Sequence, residues 1–329
     1  MRVFLTGGTG LVGSHLAEAL VQRGDEVIAL VRDSSDTTFL EGIGVRTTVG
    51  DVTDPVERLT EVMQGADAIV HSAALVYPGL PWPRVRAVNV EGTEGVFTAA
   101  FRAGIARAVH ISSVAVYGGQ TQALDESTPT DTPIPPTDLY ARSKREAEAA
   151  ATRVMAETGL PIQILRPAVI YGPRDRLFAP KLARLAQLPV IPLLGSGRTR
   201  LPVVYAGNVA AAAVSALDHT GAPVICNVGE DHPIGLRELM ELFGRALGKR
   251  PIFLPTPRWL VRGGAAVAER LGVRIPGASE LPPTRAVGLA TSDNPYRTDR
   301  IRTALGWNPP FSHEEGVGQT VEWLGAQSG

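Results

Sequence analysis

The sequence predicts an α/β protein built on a doubly wound parallel sheet, followed by a smaller, irregular C-terminal domain. Three observations predict it. The first 170 residues alternate short β-branched runs with helical patterns, which is the order of a parallel sheet covered by helices. The strand candidates are continuous apolar runs, as strands buried on both faces must be. A glycine-rich turn stands between the first strand candidate and the first helix candidate.

In chain order, Val3 to Thr6 reads as a buried strand, and Ser14 to Arg23 as an amphipathic helix ended by Gly24. Glu26 to Val31 and Val45 to Val49 are strands, with Pro55 to Gln64 a helix after them. Ala68 to Ser72 is a strand, Val88 to Ala103 a helix closed by Gly104, and Ala108 to Ser112 the next strand. Asp138 to Glu157 is a long helix closed by Gly159, and Ile162 to Leu165 a further strand. Beyond residue 171 the regularity weakens, with Pro and Gly clustered at 172–197 and 251–287. The predicted division is therefore 1–170 for the sheet domain and 171–329 for the second, with segments such as 200–218 packing back on the first. Trp259 to Leu271 reads as an amphipathic packing helix, with cover of a substrate pocket or contact to a membrane surface as the alternatives.

Composition removes several function classes. The chain has 329 residues, 44% hydrophobic and 20% charged, with a formal net charge of −1, a globular balance with no basic tract for nucleic acid. Cys226 is the single cysteine, so neither a disulfide within the chain nor a thiolate metal site is expected, and its apolar surroundings mark an inert buried thiol. No secretory leader and no stretch of 18 apolar residues is present, and a cytoplasmic protein without an integral membrane span is expected.

Gly7-Gly8-Thr9-Gly10-Leu11-Val12-Gly13 follows the first strand and opens the first helix. Gly7 permits a tight turn, Gly10 lets backbone approach a pyrophosphate, and Gly13 allows the helix to pack closely on the strand. N–H groups at the helix start, including those of Leu11 and Val12, then face the phosphates. This placement predicts a Rossmann fold that holds a dinucleotide. The second strand ends Val31-Arg32-Asp33. Where an acid would accept the ribose hydroxyls there is Val31, followed by a guanidinium suited to a 2′-phosphate. The prediction is NADP(H) over NAD(H), with Asp33 the competing ribose contact. Asp51-Val52 follows the third strand, as an adenine contact or a simple turn.

Tyr140 and Lys144 lie four apart on the long helix, which puts phenol and ammonium on one face. A neighbouring ammonium is expected to lower the phenol pKa towards neutrality, and such a Tyr exchanges a proton with an alcohol or carbonyl oxygen. Ser113, at a strand end, is placed to hold the same oxygen. In open α/β sheets ligands bind at these strand ends.

With these residues the chain resembles the extended short-chain dehydrogenase/reductase family. The resemblance spans nearly the whole chain: the glycine turn, Asp51-Val52, His71-Ser72-Ala73-Ala74, Asn89-Val90-Glu91-Gly92-Thr93, Ser113 with Tyr140 and Lys144, Arg166 to Pro173, and Leu305-Gly306-Trp307-Asn308-Pro309. It implies Tyr140 as general acid/base, Lys144 on the nicotinamide ribose, and Ser113 orienting the substrate oxygen. It implies Asn89 as a structural or relay residue near the Lys, and Pro167 to Ile170, with Val169, beside the nicotinamide. Ala73, Ala74 and Ser112 complete the expected cofactor contacts. A homodimer is common among such relatives and is expected here.

Within the family, the apolar residues Leu75, Val76, Tyr77, Leu80, Trp82, Leu177 and Phe178, together with Tyr171, read either as ordinary core or as a wall that suits a bulky apolar substrate. Tyr171-Gly172-Pro173-Arg174 and the Val31-Arg32 ending are similar to the 3β-hydroxysteroid dehydrogenase and dihydroflavonol reductase branch. The expected activity is interconversion of a secondary alcohol and a ketone. Two alternatives stay open. One is a nucleotide-sugar epimerase or dehydratase, for which Arg200 would be a diphosphate clamp and Leu289 to Asp293 stands near the place of a second. The other is a non-catalytic cofactor sensor.

Overall fold

The computed structural model describes residues 1–76, 79–120, 122–194, 197, 199–230, 233–257, 263–264, 266–267, 270 and 293–327. Tyr77 and most of 259–271 and 289–293 lie outside them. In chain order the elements are β1 (Arg2–Thr6), α1 (Leu11–Gln22), β2 (Glu26–Val31), α2 (Thr38–Gly42), β3 (Arg46–Val49), α3 (Val56–Met63) and β4 (Ala68–His71). Then come α4 (Trp82–Arg86), a π-helical turn (Ala87–Glu91), α5 (Gly92–Arg102), β5 (Arg107–Ile111), a 3₁₀ turn (Val114–Tyr117), α6 (Leu139–Thr158) and β6 (Ile162–Pro167). The remainder is β7 (Val169–Tyr171), α7 (Ala179–Ala186), β8 (Val190–Leu194), β9 (Val203–Tyr205), α8 (Ala206–Asp218), β10 (Ile225–Val228), α9 (Leu236–Ala246) and β11 (Ile252–Thr256). Two further helices cover Asp299–Leu305 and His313–Ala326.

The chain forms two compact units. The first takes Met1–Ala168, Ala206–Gly229 and Tyr296–Pro310, and the second Val169–Tyr205, Glu230–Pro295 and Phe311–Gly329. In the first, seven strands pair in the order β10-β6-β5-β4-β1-β2-β3, every neighbour parallel. Connections run one way from β1 to β2 and β3, and the other way from β4 onward. The order therefore reverses between β1 and β4, the place where such sheets bind ligands. Apart from β3, a largely exposed edge strand of sequence Arg46-Thr47-Thr48-Val49, the strands are apolar because both faces are covered. On one face Phe4, Ile69, Ile162 and Ile164 pack with Leu59, Met63, Val96, Phe97 and Val154 in one buried cluster. Elsewhere in the unit α8 lies against α1. That packing and the pairing of β10 with β6 bring residues 206–229 into the first unit.

The second unit has two short parallel pairs, β7 with β9 and β8 with β11. Its core gathers Tyr171, Leu182, Ile191, Tyr205, Leu239 and Phe243. Among the described residues no helix is long and apolar enough to cross a membrane.

One buried polar chain ties the first unit's sheet to α5. The Thr93 hydroxyl donates to Asn89 O at 2.7 Å, so it accepts from His71 Nε2–H at 2.9 Å. His71 Nδ1 is then an acceptor, served by the Thr6 hydroxyl at 2.7 Å, while Thr6 Oγ1 itself accepts from the Ala73 amide. Every group is satisfied by a neutral His71, and burial holds its pKa down at about 3. His71 is thus a neutral cross-link between β1, β4 and α5. Thr93→Val, which leaves a buried N–H without an acceptor, is expected to destabilise the fold by about 1–3 kcal/mol, read as a lower urea midpoint at unchanged m-value.

Candidate active site

The turn after β1 is fixed by backbone alone. Gly7 has φ 74°, and its carbonyl accepts from the Gly10 amide at 2.9 Å. A Cβ at Gly7 would stand 2.6 Å from Ala73 N, and one at Gly13 2.0 Å from Gly7 O. The protein's own packing requires both glycines. Gly10 differs, because a Cβ there would meet only Gly7 O, at 3.3 Å. No side chain caps α1 and no acid stands in its first turn, so its free N–H groups and positive end are uncompensated. A bare helix start behind a glycine that packing does not demand fits a diphosphate.

Around this turn lie the other expected cofactor contacts of the first unit. Val31 is buried, and the exposed Arg32 and Asp33 follow it. Arg32 forms no ion pair among the described residues. Asp51 Oδ1 accepts from both the amide and the hydroxyl of Thr53, so its carboxylate shapes its own turn, and Val52 belongs to the core. Ala73, Ala74 and Leu75 are partly buried and Val76 is exposed. Asn89 holds both backbone groups of Leu75, accepting from its N–H at 2.7 Å and donating to its carbonyl at 3.0 Å. Its amide also donates to Ser143 Oγ at 2.9 Å. Asn89 therefore fixes the segment after β4 against α6. Trp82 lies under the Arg142 guanidinium, 3.8 Å from the ring centroid.

Ser113, Tyr140 and Lys144 come together at the end of β5. Asp138 caps α6 through the Ala141 amide, which sets the helix start beside Ser113. Ser113 Oγ accepts from the Ala115 amide at 3.2 Å, and its hydroxyl is close enough to the Tyr140 phenol to act on its titration. Lys144 is buried and donates to Ile111 O at 2.8 Å. The expected lowering of the Tyr140 pKa is not found. Burial raises it, the neighbouring Ser113 hydroxyl opposes this in part, and the nearby Asp138 charge raises it further. The phenol is held protonated by its burial. Burial also brings Lys144 down to about 8, against the opposing pull of Glu148.

Behind this trio runs a buried polar network whose members, Ser112 apart, have no site role in the sequence reading. Ser112, expected at the cofactor, directs its hydroxyl inward to Glu148 Oε1 at 2.5 Å. Arg166 donates to Glu148 from Nε and Nη2, the latter at 2.6 Å, and from Nη1 to Tyr117 Oη at 2.9 Å. The Tyr117 hydroxyl then donates to Asn227 Oδ1 at 2.9 Å. Glu148 continues the stripe of Tyr140 and Lys144 at spacing i+4, and a carboxylate on that buried stripe was the available clue. Pro167 ends β6 and is buried.

The remaining expected residues belong to the second unit. Tyr171 was expected to line a substrate pocket. Instead it is fully buried in that unit's core, with its hydroxyl 2.9 Å from His313 Nδ1, so it offers no surface to a ligand. Phe178 is partly buried against the same core, while Leu177 and Val169 are exposed. Arg174 has φ 70°, the one non-glycine in the left-handed region among the described residues. Beside it Asp175 accepts from the amides of Leu177, Phe178 and Ala179. Arg200 is exposed, and its backbone is held by Asp293 and Asn294.

Residues 3–229 match the NAD dependent epimerase/dehydratase family. The chain belongs to that family. It is an oxidoreductase of the extended short-chain dehydrogenase/reductase type with an NAD(P)-type cofactor. It is 29% identical over 320 residues to a 4-hydroxy-2-methyl-3-oxo-4-farnesyl-3,4-dihydroquinoline-1-oxide ketoreductase of Stigmatella aurantiaca, covering 96% of this chain and 95% of the relative. It is 28% identical over 326 residues to a 2-alkyl-3-oxoalkanoate reductase of Stenotrophomonas maltophilia, covering 96% and 97%. The fold is similar to that of a UDP-glucuronic acid 4-epimerase from Bacillus cereus in complex with NAD, with TM-score 0.76, 19% identity and full coverage of both chains.

The glycine geometry separates packing from binding. Gly10→Ala is expected to melt within about 1 kcal/mol of the wild type while losing most of its dinucleotide affinity. Gly13→Ala is expected to lose the fold itself. Thermal melts paired with cofactor titrations distinguish the two.

Proposed function

We propose that this protein interconverts a secondary alcohol and a ketone on a bulky apolar substrate, with NADP(H) favoured over NAD(H). The observation that carries this reading is the Ser113–Tyr140 pair at the end of β5, with a buried Lys144 one turn further along α6. Ser113 Oγ accepts from the Ala115 amide, and its proton serves a substrate oxygen. Tyr140, held protonated by burial, is in the state that ketone reduction requires. Its phenolic proton goes to the carbonyl oxygen as the carbonyl carbon is reduced. Lys144, fixed by Ile111 O, supplies positive charge as the phenolate forms. A reduced nicotinamide, when bound, supplies the hydride.

The two reductases to which the chain is similar act, by their names, on oxo compounds, which supports the carbonyl reading. Exposed Val76 at the end of β4 suits an apolar substrate. Arg32, exposed and without an ion pair among the described residues, suits a 2′-phosphate. The exposed Arg200 favours a second reading, a nucleotide-sugar epimerase. That enzyme would bind UDP-glucose tightly, lose this binding in Arg200→Ala, and show no net change in nicotinamide absorbance.

Nicotinamide absorbance with a panel of hydroxysteroids, other bulky secondary alcohols and their ketones tests the activity. Tyr140→Phe is expected to remove nearly all kcat; retention of more than about one tenth overturns the assigned role. Fluorescence titration is expected to give a lower Kd for NADPH than for NADH, with Arg32→Ala removing the difference. Equal constants in the wild type overturn the cofactor preference.

A further inference from the structure

Glu148 is the one carboxylate buried on the face of α6 that carries Tyr140 and Lys144. It stands one turn past Lys144 and is only 7% exposed. A carboxylate there is tolerated because its oxygens are fully engaged. Oε1 accepts from Ser112 Oγ and Arg166 Nε, and Oε2 from Arg166 Nη2 and, at 3.2 Å, from Nε. Ser112 adjoins Ser113, and its amide donates to Leu165 O at 2.7 Å. The Glu148 carboxylate therefore grips the β5 end, the β6 strand and α6 at one point, directly behind the reacting groups.

We propose that Glu148 is a positioning residue for the Ser113–Tyr140–Lys144 site, locking the end of β5 to α6 through Ser112 and Arg166 and standing as counter-charge behind the buried Lys144. The proposal rests on the oxidoreductase reading above. Ser113 has no rigid element of its own beyond the 3₁₀ turn it caps, so its position follows that of Ser112. The Lys144 ammonium has a single carbonyl partner, Ile111 O, which bears no net charge. The groups whose charge couples to it are His71 on β4 and His110 on β5, both kept neutral by burial, and Glu148 on α6; Arg166 on β6 pairs with Glu148, and Tyr140 and Arg145 share the helix. Tyr117 and Asp138 stand at the flanking turns. Among these, Glu148 opposes the discharge of Lys144, and Arg166 offsets part of its charge. The sign follows: with Glu148 neutral, Lys144 loses its proton at a lower pH than its value of about 8. The phenolate formed in the reaction then lacks its cation at neutral pH.

The chain contains only three lysines, Lys144, Lys181 and Lys249. Full-length protein labelled with ¹³C at lysine Cε therefore gives three resonances, assigned with Lys181→Arg and Lys249→Arg, and Lys144 is titrated without any substrate. Glu148→Gln retains an acceptor for Ser112 but removes the charge, whereas Ser112→Ala keeps the charge and removes the grip. In Glu148→Gln the Lys144 midpoint is expected to fall by about one unit, a tenfold change in proton affinity. The alkaline limb of kcat is expected to move with it. In Ser112→Ala the midpoint is expected to stay in place while kcat falls more than KM rises. An unmoved Lys144 midpoint in folded Glu148→Gln, or unchanged kcat in Ser112→Ala, overturns the proposal. Should Glu148→Gln fail to fold, Glu148→Asp keeps the charge with a shorter reach. A reduced kcat at an unmoved Lys144 midpoint then supports the proposal, and an unchanged kcat overturns it. Absence of wild-type turnover on every alcohol and ketone, with the Lys144 midpoint still dependent on Glu148, overturns the alcohol–ketone reading and the catalytic part of this proposal while retaining the charge coupling.

Discussion

Gly13 lies so close to the Gly7 carbonyl that one added methyl group would overlap it, and the arrangement of the first unit follows from that contact. It sets how tightly α1 can return over β1. The same turn presses Gly7 against Ala73, so the ends of β1 and β4 are held together where the strand order reverses. A looser turn would separate these two ends and the helix start they present. The fold thus places its uncompensated N–H groups at the one position in the sheet where connections leave in opposite directions.

A second constraint is that polar groups inside a parallel sheet need partners. Two chains of hydrogen bonds meet it. Thr6, His71, Thr93 and Asn89 join β1 and β4 to α5, and Ser112, Glu148, Arg166, Tyr117 and Asn227 join β5, α6, β6 and β10. Both run beside Tyr140 and Lys144. The groups that do chemistry are therefore set in a scaffold whose rigidity comes from directional bonds as well as from apolar packing.

Much of this was legible in the sequence, for identifiable reasons. The strands β1, β2, β4, β5 and β6 are apolar runs with helical patterns between them, and their existence followed from that alternation. The glycine turn was readable because residue type and position coincide. Ser113, Tyr140 and Lys144 were found by spacing and are brought together by the structure. Other features depend on distant partners. Glu148 looks like a surface residue of a charged helix until Arg166 is opposite it. Tyr171 looks like a pocket residue until His313, 142 positions later, closes over it. β10 is four residues long and contains Asn227, so its short apolar run does not by itself place it in the sheet of the first unit. The Tyr140 pKa differs from expectation because i, i+4 spacing places Lys144 on the right face but does not show how far burial desolvates the phenol.

Asn227 has a consequence for how the chain is made. It sits on the seventh strand, and it completes the Tyr117 hydroxyl while its own amide donates to Arg297 O at 3.0 Å. A nascent chain that has emerged only as far as residue 170 lacks this strand. Its sheet ends on an open edge at β6, and Tyr117 is without its acceptor. Two later stretches, near residues 225 and 297, must leave the ribosome before the first unit can close. Synthesis of the intervening segments is thus interposed in its folding, and a fragment cut at the boundary that the sequence suggests would expose the β6 edge to other chains.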